Sequence, residues 1–323
     1  HSFPTRRSSD LPTVIAIGVS LVMISAFYPI LKNIKRAERS NAVAPQIDRV
    51  FPSVGAVSGG DKIRITGRNF ERVQGVRDLV TGLINSCVIN SNNQTYCWGL
   101  SPFGYTTNVG IPVLLSQGEL PQGVFFKQLS QRGHPTCGIA SDNQTYCWGN
   151  GTAGALGNGA LMQSSSPVRT AQGQIPSGVY LTSISGGNGY FCGVASNNWV
   201  YCWGSNNVGQ LGNGGWNGSA VPTSLAQGAI PPGIHAKQVN AGMESACILA
   251  SNNKIYCWGG NLYGQIGSGY ANSYQVPQEV SQGEIPIGVE IKQVQTSGTF
   301  ACALASNNRI YCWGRLVDRK SVV

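Results

Sequence analysis

Histidine is almost missing from this chain of 323 residues: three occur, and His1 lies in a terminal stretch set aside below. The other two, His134 and His235, fall at non-equivalent places, so neither a Ser-His-Asp nor a Cys-His site can be assembled from them. Charge is scarce as well, at 11% of residues, with 13 acidic against 22 basic side chains. A carbohydrate-active site would need carboxylates converging on one place. The few on offer are Asp78, Glu119, Asp142, Glu244, Glu279, Glu284 and Glu290, of which only Glu119 and Glu284 recur, within a Gln-Gly-Glu turn. No Gly-x-x-x-x-Gly-Lys phosphate loop is present, and no arginine-rich stripe with interleaved aromatics suits nucleic acid. We expect no catalysis and no cofactor, with a carbohydrate-active enzyme as the rival reading.

Long apolar runs are absent except for one. Leu11 to Leu31 carries no charge, and at about 1.5 Å per residue a helix of that length spans roughly the 30 Å of a hydrocarbon core. A transmembrane anchor is expected over 12–33, followed by a basic linker, 34–45. A signal-peptide core, with Ala42-Val43-Ala44 as its cleavage site, and a buried helix are the alternatives. Lys32, Lys35, Arg36 and Arg39 cluster beside the run, which by the positive-inside rule favours a cytoplasmic location for the rest. The cysteines argue the other way, and we weight them more, placing the chain beyond Pro45 outside the cytoplasm or at the cell surface. The outermost stretches, 1–11 (HSFPTRRSSDL) and 318–323 (DRKSVV), resemble translated sequencing adapter, because they back-translate to reverse complements. Both are read as artefact, with the natural termini expected beyond them. Without them the net charge falls from +9 to +7.

What the chain has is repetition. One phrase, CVINSNNQTYCWG at Cys87 to Gly99, returns at Cys137, Cys192, Cys247 and Cys302, with steps of 50, 55, 55 and 55 residues. Such a period marks an array of similar units, here over 75–317. All ten cysteines fall into five pairs with nine residues between partners: Cys87 and Cys97, Cys137 and Cys147, Cys192 and Cys202, Cys247 and Cys257, Cys302 and Cys312. An apolar strand such as Phe126 to Leu129 opens each unit, and a second begins near the first cysteine. The Ser-Asn-Asn or Ser-Asp-Asn turn then closes a hairpin whose next strand ends in Tyr-Cys-Trp-Gly. With that turn near Asn92, positions 87 and 97 face each other, a geometry compatible with a cross-strand disulfide. Zinc is not expected at this spacing. Each bridge would close about eleven residues, worth about 2.5 to 3 kcal/mol by chain entropy, a sizeable share of the 5–15 kcal/mol typical of a domain.

Two resemblances follow from motifs. Gln46 to Phe70, with its V-x-P-x-x-G, Gly-Gly and I-x-G-x-N-F elements, resembles the opening of an IPT/TIG sandwich, and the segment 46–74 is read as a partial one. The loops Gly154-Ala155-Leu156-Gly157, Gly209-Gln210-Leu211-Gly212 and Gly264-Gln265-Ile266-Gly267, with Pro167, Pro222 and Pro277 further on, resemble repeats of the regulator of chromosome condensation family. The first loop departs, reading Pro102-Phe103-Gly104-Tyr105. That resemblance implies an all-β chain, an incomplete β-propeller of about five units, with the end blades exposing a face. It also brings guanine nucleotide exchange and secreted enzyme inhibition as alternatives. The leading expectation is a binding scaffold for a protein or glycan at the cell surface. Its candidate anchors are the aromatics that break the repeat: Phe103, Tyr105, Trp199, Trp216, Tyr263, Tyr270 and Tyr274. The recurring Gln-Gly-x-Ile/Leu-Pro stretch is expected to add a turn and a strand to each blade.

Overall fold

A computed structural model describes residues 46–51, 64–68, 75–100, 103 and 108–315. The expected anchor 12–33, the linker 34–45 and both adapter-like stretches lie outside the described residues. Among those described, no helix is long and apolar enough to cross a membrane. The chain divides into two units, residues 1–73 and 74–323. In the first, β1 (Gln46–Phe51) pairs antiparallel with β2 (Arg64–Arg68), and the register slips once, between Ile47 and Arg49.

The second unit holds five blade-like antiparallel sheets, each a meander. The first blade comprises β3 (Val76–Thr81), β4 (Asn85–Asn90), β5 (Thr95–Leu100) and β6 (Asn108–Leu114). In the second are β7 (Phe126–Gln131), β8 (Thr136–Ala140), β9 (Thr145–Gly149) and β10 (Ser164–Arg169). The third runs through β11 (Leu181–Gly186), β12 (Tyr190–Ala195), β13 (Val200–Gly204) and β14 (Ser219–Ser224). Strands β15 (Ala236–Ala241), β16 (Ser245–Ala250), β17 (Ile255–Gly259) and β18 (Tyr274–Glu279) make the fourth. Three strands form the fifth among the described residues: β19 (Ile291–Thr296), β20 (Phe300–Ala305) and β21 (Ile310–Gly314).

The conserved-looking phrase of each hairpin has a local cause. Its second Asn (Asn93, Asn143, Asn198, Asn253, Asn308) takes the left-handed conformation, φ 59° to 65°, which Asn tolerates better than most residues. In the last four blades the residue before it accepts the N–H two positions on, as Asn197 Oδ1 does from Trp199 and Asn252 Oδ1 from Lys254. The same amide donates to the tyrosine of Tyr-Cys-Trp-Gly, Asn197 to Tyr201 and Asn252 to Tyr256, at 3.0 and 2.9 Å. This turn puts the cysteines directly opposite each other, with Cα atoms 4.0–4.1 Å apart, and all five pairs are joined.

The core lies between blades. Cys192, Cys202 and Val194 of the third blade pack on Val239, Ala246 and Trp258 of the fourth, and the other junctions repeat the arrangement. In the last three blades the indole N–H reaches back to the preceding loop: Trp203 to the Ala155 carbonyl, Trp258 to Gln210 and Trp313 to Gln265, at 2.9–3.1 Å. Gln-Gly-x-Ile/Leu-Pro forms turns and no strand, a correction to the expectation. Its N–H groups reach the carbonyl of the recurring proline in the next blade's outer strand, Glu119 to Pro167, Gln174 to Pro222 and Ala229 to Pro277, each 2.8 Å. Proline suits that edge because it has no N–H to leave unpaired. The outermost sheets expose faces that are covered elsewhere: Val76 is 58% and Ile310 53% exposed, against 4% for their counterparts Ala236 and Ile255.

Candidate functional site

Because each blade is a meander, its loops sort onto two ends. One end, the turn face, carries the Asn hairpins, the Gln-Gly turns and the starts of the inner strands β3, β7, β11, β15 and β19. At the other, the loop face, are the glycine-rich loops and the ends of the inner strands. The inner strands neighbour one another without a shared backbone ladder; side chains bridge them instead. Asp78 Oδ2 accepts the Leu129 N–H at 2.8 Å, Ser130 Oγ the Gly186 N–H at 2.7 Å, Ser185 Oγ the Ala241 N–H at 2.9 Å and Asn240 Oδ1 the Thr296 N–H at 2.6 Å.

At the loop end of this lining, Arg132 of the second blade donates to the carbonyls of Ala241 and Thr296, in the fourth and fifth, at 2.8 and 2.9 Å. Burial pushes its guanidinium down from the ordinary arginine value, an effect partly offset by the phenol of Tyr190. Tyr190 is fully buried, which holds its hydroxyl well above the ordinary phenol range, and it donates to the Ser245 carbonyl at 2.8 Å.

The aromatics expected as anchors do not share one role. Trp216, Tyr263 and Tyr270 stand on the loop face, 47%, 41% and 72% exposed, with Leu262 beside them at 75%. Their loops are fixed by buried asparagines. Asn206 accepts the Leu211 N–H and donates to the carbonyls of Gly215 and Asn217 on either side of Trp216. Asn261 accepts from Ile266 and donates to the Tyr270 carbonyl. Tyr274 is half-buried at the start of β18, its hydroxyl 3.3 Å from Ser268 Oγ, and Phe103 packs against the core of the first junction. Tyr105 lies outside the described residues.

Trp199 lies apart from these. It sits on the turn face, half-buried, with its indole N–H bonded to Ser224 Oγ (2.8 Å) and the Leu225 carbonyl (3.2 Å). The same position holds Gln144 and Lys254 in the neighbouring blades, and there an open groove of about 360 or 320 Å³ runs between blades. The indole of Trp199 packs against the core between the second and third blades.

Sequence reasoning missed a set of cations at the turn-face rim. Ten residues before each first cysteine stand Arg77, Lys127, Thr182, Lys237 and Lys292, the second residue of every inner strand and exposed in each. Aligning the repeats on their cysteines would have found them. Among the described residues the carboxylates serve separate partners. Asp78 bridges inner strands, Glu119 accepts the Arg169 N–H at 2.7 Å, Asp142 is bonded to Gln144 and Tyr146, and Glu279 pairs with Lys254 at 2.7 Å. Among the described residues no His, Cys, Asp and Glu cluster could hold a metal ion.

Comparison with known proteins agrees with this architecture. Models of the regulator of chromosome condensation (RCC1) repeat match 198–249 and 252–304, and a related one matches 236–265. An IPT/TIG domain model matches 45–124, running past the strands β1 and β2 into the first blade. Human E3 ubiquitin-protein ligase HERC2 is 26% identical over 168 residues, 51% of this chain and 3% of that protein. The Arabidopsis thaliana ultraviolet-B receptor UVR8 is 32% identical over 36% of this chain and 25% of its own. The chain therefore spans a quarter or less of these curated relatives. Among solved structures, human WBSCR16 superposes with a TM-score of 0.61 at 20% identity, over 76% of this chain and 61% of that one. Prp20p from Saccharomyces cerevisiae, described with its binding to Gsp1p and histones, gives 0.63 at 18%, over 75% and 57%. Together with the five blade-like sheets, these matches show that the chain carries regulator of chromosome condensation (RCC1) repeats, with an IPT/TIG match leading into the first of them.

Proposed function

We propose that this chain is a non-catalytic scaffold, held at a membrane by segment 12–33 with its blades on the extracytoplasmic side, that binds a protein partner through its loop face. The observation that carries the reading is the exposure of Trp216, Tyr263 and Tyr270 on loops whose backbone is tied down by Asn206 and Asn261. Rigid aromatic anchors lose little entropy on binding, so they favour recognition. A structure of similar fold, Prp20p, is described by its binding to proteins. Five joined cysteine pairs support placement in an oxidising compartment.

The test is cross-linking capture at the surface of the source cell, comparing the full chain with a Trp216→Ala, Tyr270→Ala double variant. Both side chains are exposed, so the fold should persist. We expect a defined partner to be lost from the variant and retained by Trp199→Gln on the other face. An identical partner set for all three would sink the loop-face reading.

A further inference from the structure

We propose that the turn-face rim of the inner strands is a second binding site, built to take an acidic, partly apolar segment of a protein. It is independent of the loop-face reading, because it lies at the opposite end of the blades. Four of five inner strands carry a cation at the same position: Arg77, Lys127, Lys237 and Lys292, with Thr182 as the exception. Strand-to-strand bonds at neighbouring positions, such as Leu129 N–H to Asp78, Gln238 Nε2 to the Val294 carbonyl and the Val294 N–H to Gln238 Oε1, hold the strands level.

The cations are positioned without being neutralised. Arg77 bonds to Asn93 Oδ1, Lys127 to Asn143 Oδ1 at 2.7 Å and Lys292 to Asn308 Oδ1 at 3.1 Å, in each case the left-handed Asn of the same blade's hairpin. An amide oxygen fixes the charged head and leaves its full charge in place. Elsewhere the chain pairs a cation with a carboxylate, as in Lys254 and Glu279. Nearby acids are turned to other uses: Asp78 to a backbone N–H, and Asp142 to Tyr146 and Gln144. Glu290, at the foot of β19, is the exposed carboxylate beside this rim. Like charges held level repel one another, and a bound anion relieves that repulsion.

The residues two before these cations decide the class of anion. Phe125 lies 5.6 Å from the Arg77 guanidinium, Tyr180, before Thr182, is 40% exposed, and His235 is exposed, while the first and fifth blades carry Gly75 and Glu290 at this position. Rings in the middle three blades beside cations in the second and fourth suit a chain that carries both acidic and apolar side chains. A sulfated polysaccharide offers charge with no apolar side chains to cover the rings, and a lipid surface offers a flat layer.

The probe is a fluorescent Glu/Tyr copolymer peptide, titrated against the detergent-solubilised full chain at low and high salt, with heparin and phosphatidylglycerol vesicles in parallel. We expect the copolymer to bind, to weaken as salt rises, and to lose about tenfold in affinity in a Lys127→Gln, Lys237→Gln, Lys292→Gln variant. All three side chains are exposed, so the melting temperature should not move, and Lys254→Gln, which removes one cation outside the rim, serves as a control for lost charge. No binding by the wild type, or equal binding by the triple variant, overturns the site. Heparin or vesicles bound in preference to the copolymer, and released by the triple variant, would overturn the choice of an acidic protein segment.

Discussion

At the scale of single residues, small changes within one motif alter its chemistry. Three hairpins use an Asn to donate to the tyrosine oxygen, whereas in the second blade Asp142 accepts from Tyr146 at 2.8 Å. Burial first, and then the adjacent carboxylate, push the Tyr146 phenol up to about 12. A raised phenol stabilises the fold fully below its unfolded value near 10, and that contribution is lost as pH climbs toward 12. Asp142→Asn should therefore bring one tyrosine's ionisation to lower pH in an absorbance titration, and an unchanged curve would contradict the assignment. The Ser-Asn-Asn signature showed a tight turn and a compatible cysteine pairing. It did not show which atom gives the proton, because that depends on a single Asn-to-Asp change four residues from the ring.

At the scale of the element, the glycine closing Tyr-Cys-Trp-Gly lets the third strand turn into its loop. Gly204 has φ +104°, and a Cβ there would lie 2.4 Å from the Gly189 carbonyl, whereas at Gly214 (φ +88°) nothing lies within 4 Å. Gly204→Ala should cost about 1–3 kcal/mol and lower the melting temperature by several degrees, more than Gly214→Ala. Equal effects would mean that backbone conformation alone sets the cost. Strand positions and hairpins were legible because their period is local. The Gln-Gly stretch was legible as a turn, but not its purpose, since meeting a proline carbonyl one blade later appears only when units pack. Trp199 reads in sequence as a hairpin aromatic, and only the packed structure shows its indole N–H tied to Ser224 and Leu225.

At the scale of the whole molecule, stability and placement hang on the same covalent frame. Alkylation under denaturing conditions, read by intact mass, should block all ten cysteines only after reduction. Free thiols in material from the native source would remove the argument for an extracytoplasmic position. Replacing Cys192 and Cys202 by alanine should cost about 2–5 kcal/mol, seen as an earlier denaturation midpoint. The propeller-like repeat was readable from the first cysteine to the last; the cationic rim was written in the same register, ten residues before each first cysteine, but its members meet only where the inner strands converge. Those strands touch through side chains, with no continuous backbone ladder from blade to blade. A unit can therefore be copied or deleted in the gene without breaking a sheet, and unequal recombination within a near-constant 55-residue period leaves the reading frame intact. Blade number is then a quantity that can drift between lineages, while each new junction is made from the same bonds as the last.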